Sequence, residues 1–158
     1  MAKLVSSPRA LPRGAVLLDP LSMRALSPQD AWAIDRFGLA LVDVSWEHVR
    51  SVVPKVKNRH RRALPFLQAG NPVKQDQVGT LSTAEAAAAA LYIAGHREQA
   101  LSILSAFGWG KHFLELNEAL LERYSHCKDS SDVVRVQEAE LERRWRGTRN
   151  PPSVLDGI

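Results

Sequence analysis

Hydrophobic and polar positions change rhythm along the chain. Two early apolar runs, GAVLL (14–18) and LALV (39–42), are short and unbroken; the first stops at Asp19-Pro20 and the second at Asp43, Ser45 and Trp46. An uninterrupted run of about four to eight apolar residues predicts a strand buried on both faces, as in a parallel sheet. Between them, SPQDAWAIDRFG carries the marks of a helix: Ser27 as N-cap, Pro28 at the first helical position, Asp30 in the first turn and Gly38 just past the end. Residues 14–46 therefore predict a βαβ unit with a right-handed crossover. SWEHVRSVV predicts a short helix before Pro54, and ALPFLQAG (63–70) a further strand, with Pro65 among its first residues because proline cannot donate to a ladder.

From Leu81 the apolar positions take up helical spacing. LSTAEAAAAALYIAG opens on a capping box, Ser82 with Glu85 three residues on, and ends at Gly95. REQALSILSAFG puts Ala100, Ile103, Leu104 and Phe107 on one face, and HFLELNEALLERY does the same with Phe113, Leu116, Leu120 and Tyr124. A more charged last helix runs from Ser130 or Ser131 to Arg146, with Val133, Val136, Leu141 and Trp145 as its apolar contacts and Gly147 at its end. The expected organisation is a parallel-sheet α/β part over 1–65 and an all-helical part over 66–158. The first residues read as an extended lead-in and NPPSVLDGI as a loose tail.

Composition narrows the function classes. With 158 residues, 45% of them apolar, the chain can bury a real core. A single cysteine, Cys127, excludes an internal disulfide framework and, with no charged-then-apolar leader, points to the cytoplasm. The longest apolar stretch, 86–94, is too short to span a bilayer, so no membrane partner is expected. The net charge of +4 matters less than its placement: KVKNRHRR (55–62) holds five cations and no acid. Lys55, Lys57, Arg59, Arg61 and Arg62 are the footprint of a polyanion such as RNA, or a solvated basic loop.

Several chemistries lack their residues. Neither a P-loop nor a Gly-x-Gly-x-x-Gly turn after a strand occurs, the five histidines show no metal-ligand spacing, and the Gly-x-Ser-x-Gly elbow is missing. What remains lies at the strand ends, where parallel sheets bind ligands. Asp43 there serves either binding and proton transfer or the capping of its own turn. Trp46 covers a planar or cationic ligand, or fills the core. Asn71-Pro72, after Ala69-Gly70, allows close backbone approach to a ligand or makes a simple tight turn. Glu85 reads as a capping carboxylate, and Ser82 and Thr83 as a helix start that can face a ligand hydroxyl or carboxylate.

Taken in order and spacing, GLALVDVSW, HRRALPFLQAGNPV, LSTAEAAAAALYIAG and WGKHFLELNEALLERY resemble the archaeal type of the small-subunit ribosomal RNA aminocarboxypropyltransferase family. The resemblance covers about Gly14 to Tyr124. It implies a SPOUT-like α/β fold with a deep trefoil knot that holds S-adenosylmethionine. It also implies transfer of the 3-amino-3-carboxypropyl group to N3 of a (N1-methyl)pseudouridine in small-subunit rRNA or a pre-ribosomal subunit, leaving methylthioadenosine. On the matching positions, Asp43, Ser45 and Trp46 are expected at the cofactor, with Leu18 and Pro20 in a first loop. Leu67, Ala69, Asn71 and Pro72 belong to a second loop, and Leu81, Ser82 and Glu85 to the closing helix start. Asp43 is the expected catalytic carboxylate, Trp46 the residue that exposes the methionine side chain, and no metal is expected. The chain departs from the family at Lys74, Gln75 and Asp76, where an Asn- or His-Tyr-Gly step is usual. It also lacks most of the usual N-terminal strand before Lys3-Leu4, so part of the RNA surface is expected to be absent. A monomer is expected. The runners-up are a SPOUT-type RNA methyltransferase and a non-catalytic RNA-binding assembly factor.

Overall fold

The computed structural model describes residues 10–42, 48, 51, 60–72 and 81–149. Their strands are β1 (Val16–Leu18), β2 (Leu39–Ala40) and β3 (His60–Arg62). A 3-10 turn over Pro28–Asp30 leads into α1 (Ala31–Phe37), and the helical part comprises α2 (Thr83–Ile93), α3 (Arg97–Ser105), α4 (Gly110–Ser125) and α5 (Ser130–Arg149). The sheet has the order β2-β1-β3 and both pairings are parallel, with Val16 opposite Leu39 on one side and opposite His60 on the other.

The βαβ unit forms as its sequence signals require. Ser27 N donates to Asp30 Oδ2 at 3.1 Å, closing the start of the turn, and Gly38 ends α1 at φ +92°, a conformation L side chains rarely adopt. Val16 and Leu17 are fully buried on opposite faces of β1. Val16 joins Leu26, Ile34, Ile93, Phe113, Leu121 and Tyr124 in one core that draws on both the sheet and the helices, while Leu17 packs with Ala15 and Ala40 on the other face.

The first correction concerns the knot. The described residues form a small three-stranded parallel sheet with helices, an α/β arrangement, and nothing in them supports the expected SPOUT-like deep trefoil knot. Threaded topologies are rare because neighbouring elements join by simple crossovers, and parallel neighbours of β1 are what this sheet shows.

The second correction concerns 63–70, which is not a strand. Beyond an isolated bridge between Ala63 and Ala25, this segment pairs with no strand among the described residues. β3 lies just before it, in the last three residues of the expected basic loop. The sequence run 39–44 also contributes less strand than expected, Leu39–Ala40 only among the described residues. The last helix continues through Gly147 to Arg149, and Leu141 and Trp145 are exposed. On α3, Ala100 and Leu104 are buried, whereas Phe107 lies beyond the helix end and is exposed. The helix expected within 45–53 falls outside the described residues except for His48 and Ser51.

Candidate functional site

Parallel strands all direct their carboxyl ends to one edge, and a sheet whose chain leaves the central strand in two directions opens a crevice there. β1 is that central strand. Its exit, Leu18, Asp19 and Pro20, meets Leu41 and Val42 after β2 and Leu64, Pro65, Phe66 and Leu67 after β3 around a cavity of about 400 Å³. Leu81, Thr83 and Ala86 at the start of α2 and Gln137 of α5 complete the wall. The walls are mainly apolar with a few polar groups, and the volume falls in the range of about 300–1,000 Å³ usual for small-molecule sites.

The 64–72 wall is held by helix side chains that take the place of a neighbouring strand. Gln137 Oε1 accepts from Phe66 N at 2.8 Å, and Tyr124 OH donates to Phe66 O at 3.1 Å. Asn117, 1% exposed, accepts from Gln68 N at 2.7 Å and donates to Gln68 O at 2.8 Å, matching both backbone groups of one residue. Glu85, fully buried, accepts from Gly70 N at 2.7 Å and Asn71 N at 3.0 Å through one oxygen and from Ser82 N at 2.8 Å through the other. Buried backbone groups must be met somewhere, and here α2, α4 and α5 meet them. Gly70 is needed for this docking, since a Cβ there would stand 2.6 Å from Phe113 N.

Charge is arranged to stiffen the same edge. Asp19 accepts from Leu21 N at 2.9 Å and pairs with Arg61 at 3.0 Å. Arg62 is 7% exposed, with its Nε 2.8 Å from Asp30 Oδ1 and a terminal nitrogen donating to Arg61 O. Burial pushes the Tyr124 hydroxyl above its ordinary value, which keeps it a donor to Phe66 O. Hydrogen bonds from Arg143, then Arg144, hold the Glu140 carboxyl down at about 2. Glu140 thereby anchors Arg144, whose guanidinium lies 5.0 Å from the Phe66 ring centroid.

Of the expected cofactor residues, Leu18, Pro20, Leu67 and Leu81 stand in the cavity wall. Asn71, Ser82 and Glu85 come together behind it through the Glu85 carboxylate, and Ala69 lies in the same docked segment outside the wall. Asp43, Ser45 and Trp46 lie outside the described residues, as do Lys55, Lys57 and Arg59. Arg62 is brought inside, where Asp30 takes its guanidinium. Sequence reading missed Asp19, Phe66, Asn117 and Gln137. Asp19 had a visible signal, a carboxylate at the end of a buried strand, whereas Asn117 and Gln137 look like ordinary polar positions on amphipathic helices.

A parallel sheet with a ligand-sized crevice at its carboxyl edge makes this an α/β protein with room for a small molecule where such sheets bind theirs. The chain belongs to the family described as "Ribosome biogenesis protein, C-terminal", whose model matches residues 16–141. A protein of Methanosarcina mazei named 16S rRNA aminocarboxypropyltransferase is 46% identical over 139 residues, 87% of this chain and 79% of its own length. One of the same name from Methanothermobacter thermautotrophicus is 48% identical over 137 residues, 85% of this chain and 80% of its own. The solved structure of the SAM-dependent rRNA:acp-transferase Tsr3 from Vulcanisaeta distributa superposes with a TM-score of 0.75 at 36% identity, over 92% of this chain and 84% of that one. The expected archaeal affinity holds. The SPOUT-like assignment does not, because the fold shared with Tsr3 gives it no support.

Proposed function

We infer that the chain is an S-adenosylmethionine-dependent aminocarboxypropyltransferase acting on small-subunit rRNA in ribosome biogenesis. The observation that carries this is the family match across the whole sheet and pocket: relatives at 46% and 48% identity bear that name, and the Tsr3 neighbour is described as SAM-dependent. The pocket fits the group in size, in its apolar walls and in its few polar atoms. When bound, S-adenosylmethionine supplies a sulfonium whose 3-amino-3-carboxypropyl carbon is open to attack, leaving methylthioadenosine.

The chain's own contribution is orientation. Transfer of this group rather than the methyl depends on which carbon is held in line with the nucleophile, a matter of placement worth several orders of magnitude in rate. The rigid apolar wall of Leu64, Phe66 and Leu67 excludes water and fixes that placement. Val42, in the wall, is followed directly by Asp43, so the turn over 43–46 adjoins the cavity in sequence. On this reading Trp46 leaves the methionine side chain open to the acceptor, and Asp43 orients the amino-acid group or assists loss of the N3 proton of a (N1-methyl)pseudouridine. Lys55, Lys57 and Arg59 hold rRNA phosphates, with Arg61 shared between them and Asp19. We also retain as proposals a division near residue 65, a monomer and a cytoplasmic location. The division follows the change from strands, the last described one ending at Arg62, to helices from Thr83; the monomer is supported by apolar helix positions such as Ala100, Leu104, Phe113, Leu120 and Tyr124 that are already buried within one chain, and the location by the lone Cys127. Among the described residues no helix is long and apolar enough to cross a membrane.

Calorimetric titration of S-adenosylmethionine tests the cofactor reading. Wild type should bind, and Trp46→Ala should weaken binding at least tenfold with an unchanged melting temperature. Equal affinities would remove Trp46 from the site.

A further inference from the structure

Gln137 is the only residue that α5 contributes to the cavity wall among the described residues. Its amide oxygen has a fixed duty, accepting the Phe66 N–H at 2.8 Å. A backbone N–H can be met only by the oxygen end of a carboxamide, so this bond settles which way round the amide sits. The Nε2 end, with two donors, is left without a protein acceptor among the described residues. Phe66, whose N–H orients it, is itself held through its carbonyl by Tyr124 OH. The donors are therefore preset rather than free to swing, which is how a binding group is made selective.

We propose that Gln137 is the residue that reads the adenine: its Nε2 donates to a ring nitrogen of the bound nucleoside, with the base lying against the apolar side of the cavity. This rests on the reading of the cavity as the S-adenosylmethionine site. The surroundings favour adenine over the other acceptors of that molecule. Leu64, Phe66 and Leu67 line the wall beside Gln137. A carboxylate placed against them with only a neutral amide for company would lose much of its hydration, whereas a flat, uncharged ring loses little and gains contact.

The informative variant is Gln137→Glu, which keeps an oxygen for the Phe66 N–H but replaces the donors with an acceptor-only group. Its melting temperature is compared with wild type, and calorimetry then measures affinity for S-adenosylmethionine and for methylthioadenosine, which has the adenine but no aminocarboxypropyl group. The expected result is a melting temperature within a few degrees of wild type and a loss of about tenfold or more, equal for the two ligands. A loss for S-adenosylmethionine alone would mean that Gln137 meets the amino-acid half and would overturn the adenine assignment. Unchanged affinity for both would reduce Gln137 to a support for Phe66, leaving the transferase reading intact. A wild-type chain that binds neither ligand would take down the cofactor reading and this inference together. Should Gln137→Glu not fold, the 1-, 3- and 7-deaza analogues of methylthioadenosine carry the test. One of them should bind wild type about tenfold more weakly than the parent, and Gln137→Met should erase that difference. Equal affinity of wild type for all three would overturn the proposal.

Discussion

Replacing Glu85 with alanine will lower stability by about 3–5 kcal/mol, because three backbone N–H groups lose their acceptor in one step. Glu85 is fully buried and serves Gly70, Asn71 and Ser82 at 2.7, 3.0 and 2.8 Å. The Ser82 hydroxyl, which accepts from Glu85 N at 3.2 Å, completes the reciprocal cap of α2. One side chain thus joins the helix start to the wall of the cavity. Glu85→Gln keeps one oxygen but sets an NH2 against a donor, so an intermediate loss is expected. Denaturant unfolding at an unchanged slope measures both. A cost for Glu85→Ala below about 0.5 kcal/mol, the level of an ordinary surface substitution, would show that the three bonds do not hold the wall.

Arg62→Met will cost about 3–5 kcal/mol, because Asp30 is left buried without its cation. Asp30 is 4% exposed, and Arg62 Nε lies 2.8 Å from its Oδ1. Converting both partners, Arg62→Met with Asp30→Asn, should recover much of that loss, since the asparagine oxygen can still accept from Ser27 N. The same pair separates structure from RNA contact. Neutralising Lys55, Lys57 and Arg59 should flatten the salt dependence of rRNA binding, whereas the folded double variant at Arg62 and Asp30 should leave that slope as it was. A slope reduced by the double variant would return Arg62 to the RNA surface.

What could be read from the sequence was what local spacing determines. The Ser82–Glu85 cap, the Gly38 stop and the first buried strand each depend on residues within a few positions, and each formed where expected. The 63–70 segment misled because its apolar run is that of a strand while its partners are Glu85, Asn117, Tyr124 and Gln137. Periodicity carries no signal for a ladder completed by side chains of distant helices. The pairing of Arg62 had no local signal for the same reason: five cations within eight residues suggest a polyanion site, and the carboxylate that Arg62 meets, Asp30, lies 32 residues away. Leu18, Pro20, Leu67 and Leu81 of the cavity came from the resemblance, Asp19 had its signal at the end of the first buried strand, and Gln137 emerged only from the geometry.

Product identification tests the central claim most directly. Incubated with S-adenosylmethionine and small-subunit rRNA, the chain should release methylthioadenosine and leave an acid-bearing modification on the RNA. Release of S-adenosylhomocysteine with a methylated RNA would contradict the account and make the protein a methyltransferase. RNA binding that ignores the cofactor, with neither product formed, would make it an assembly factor.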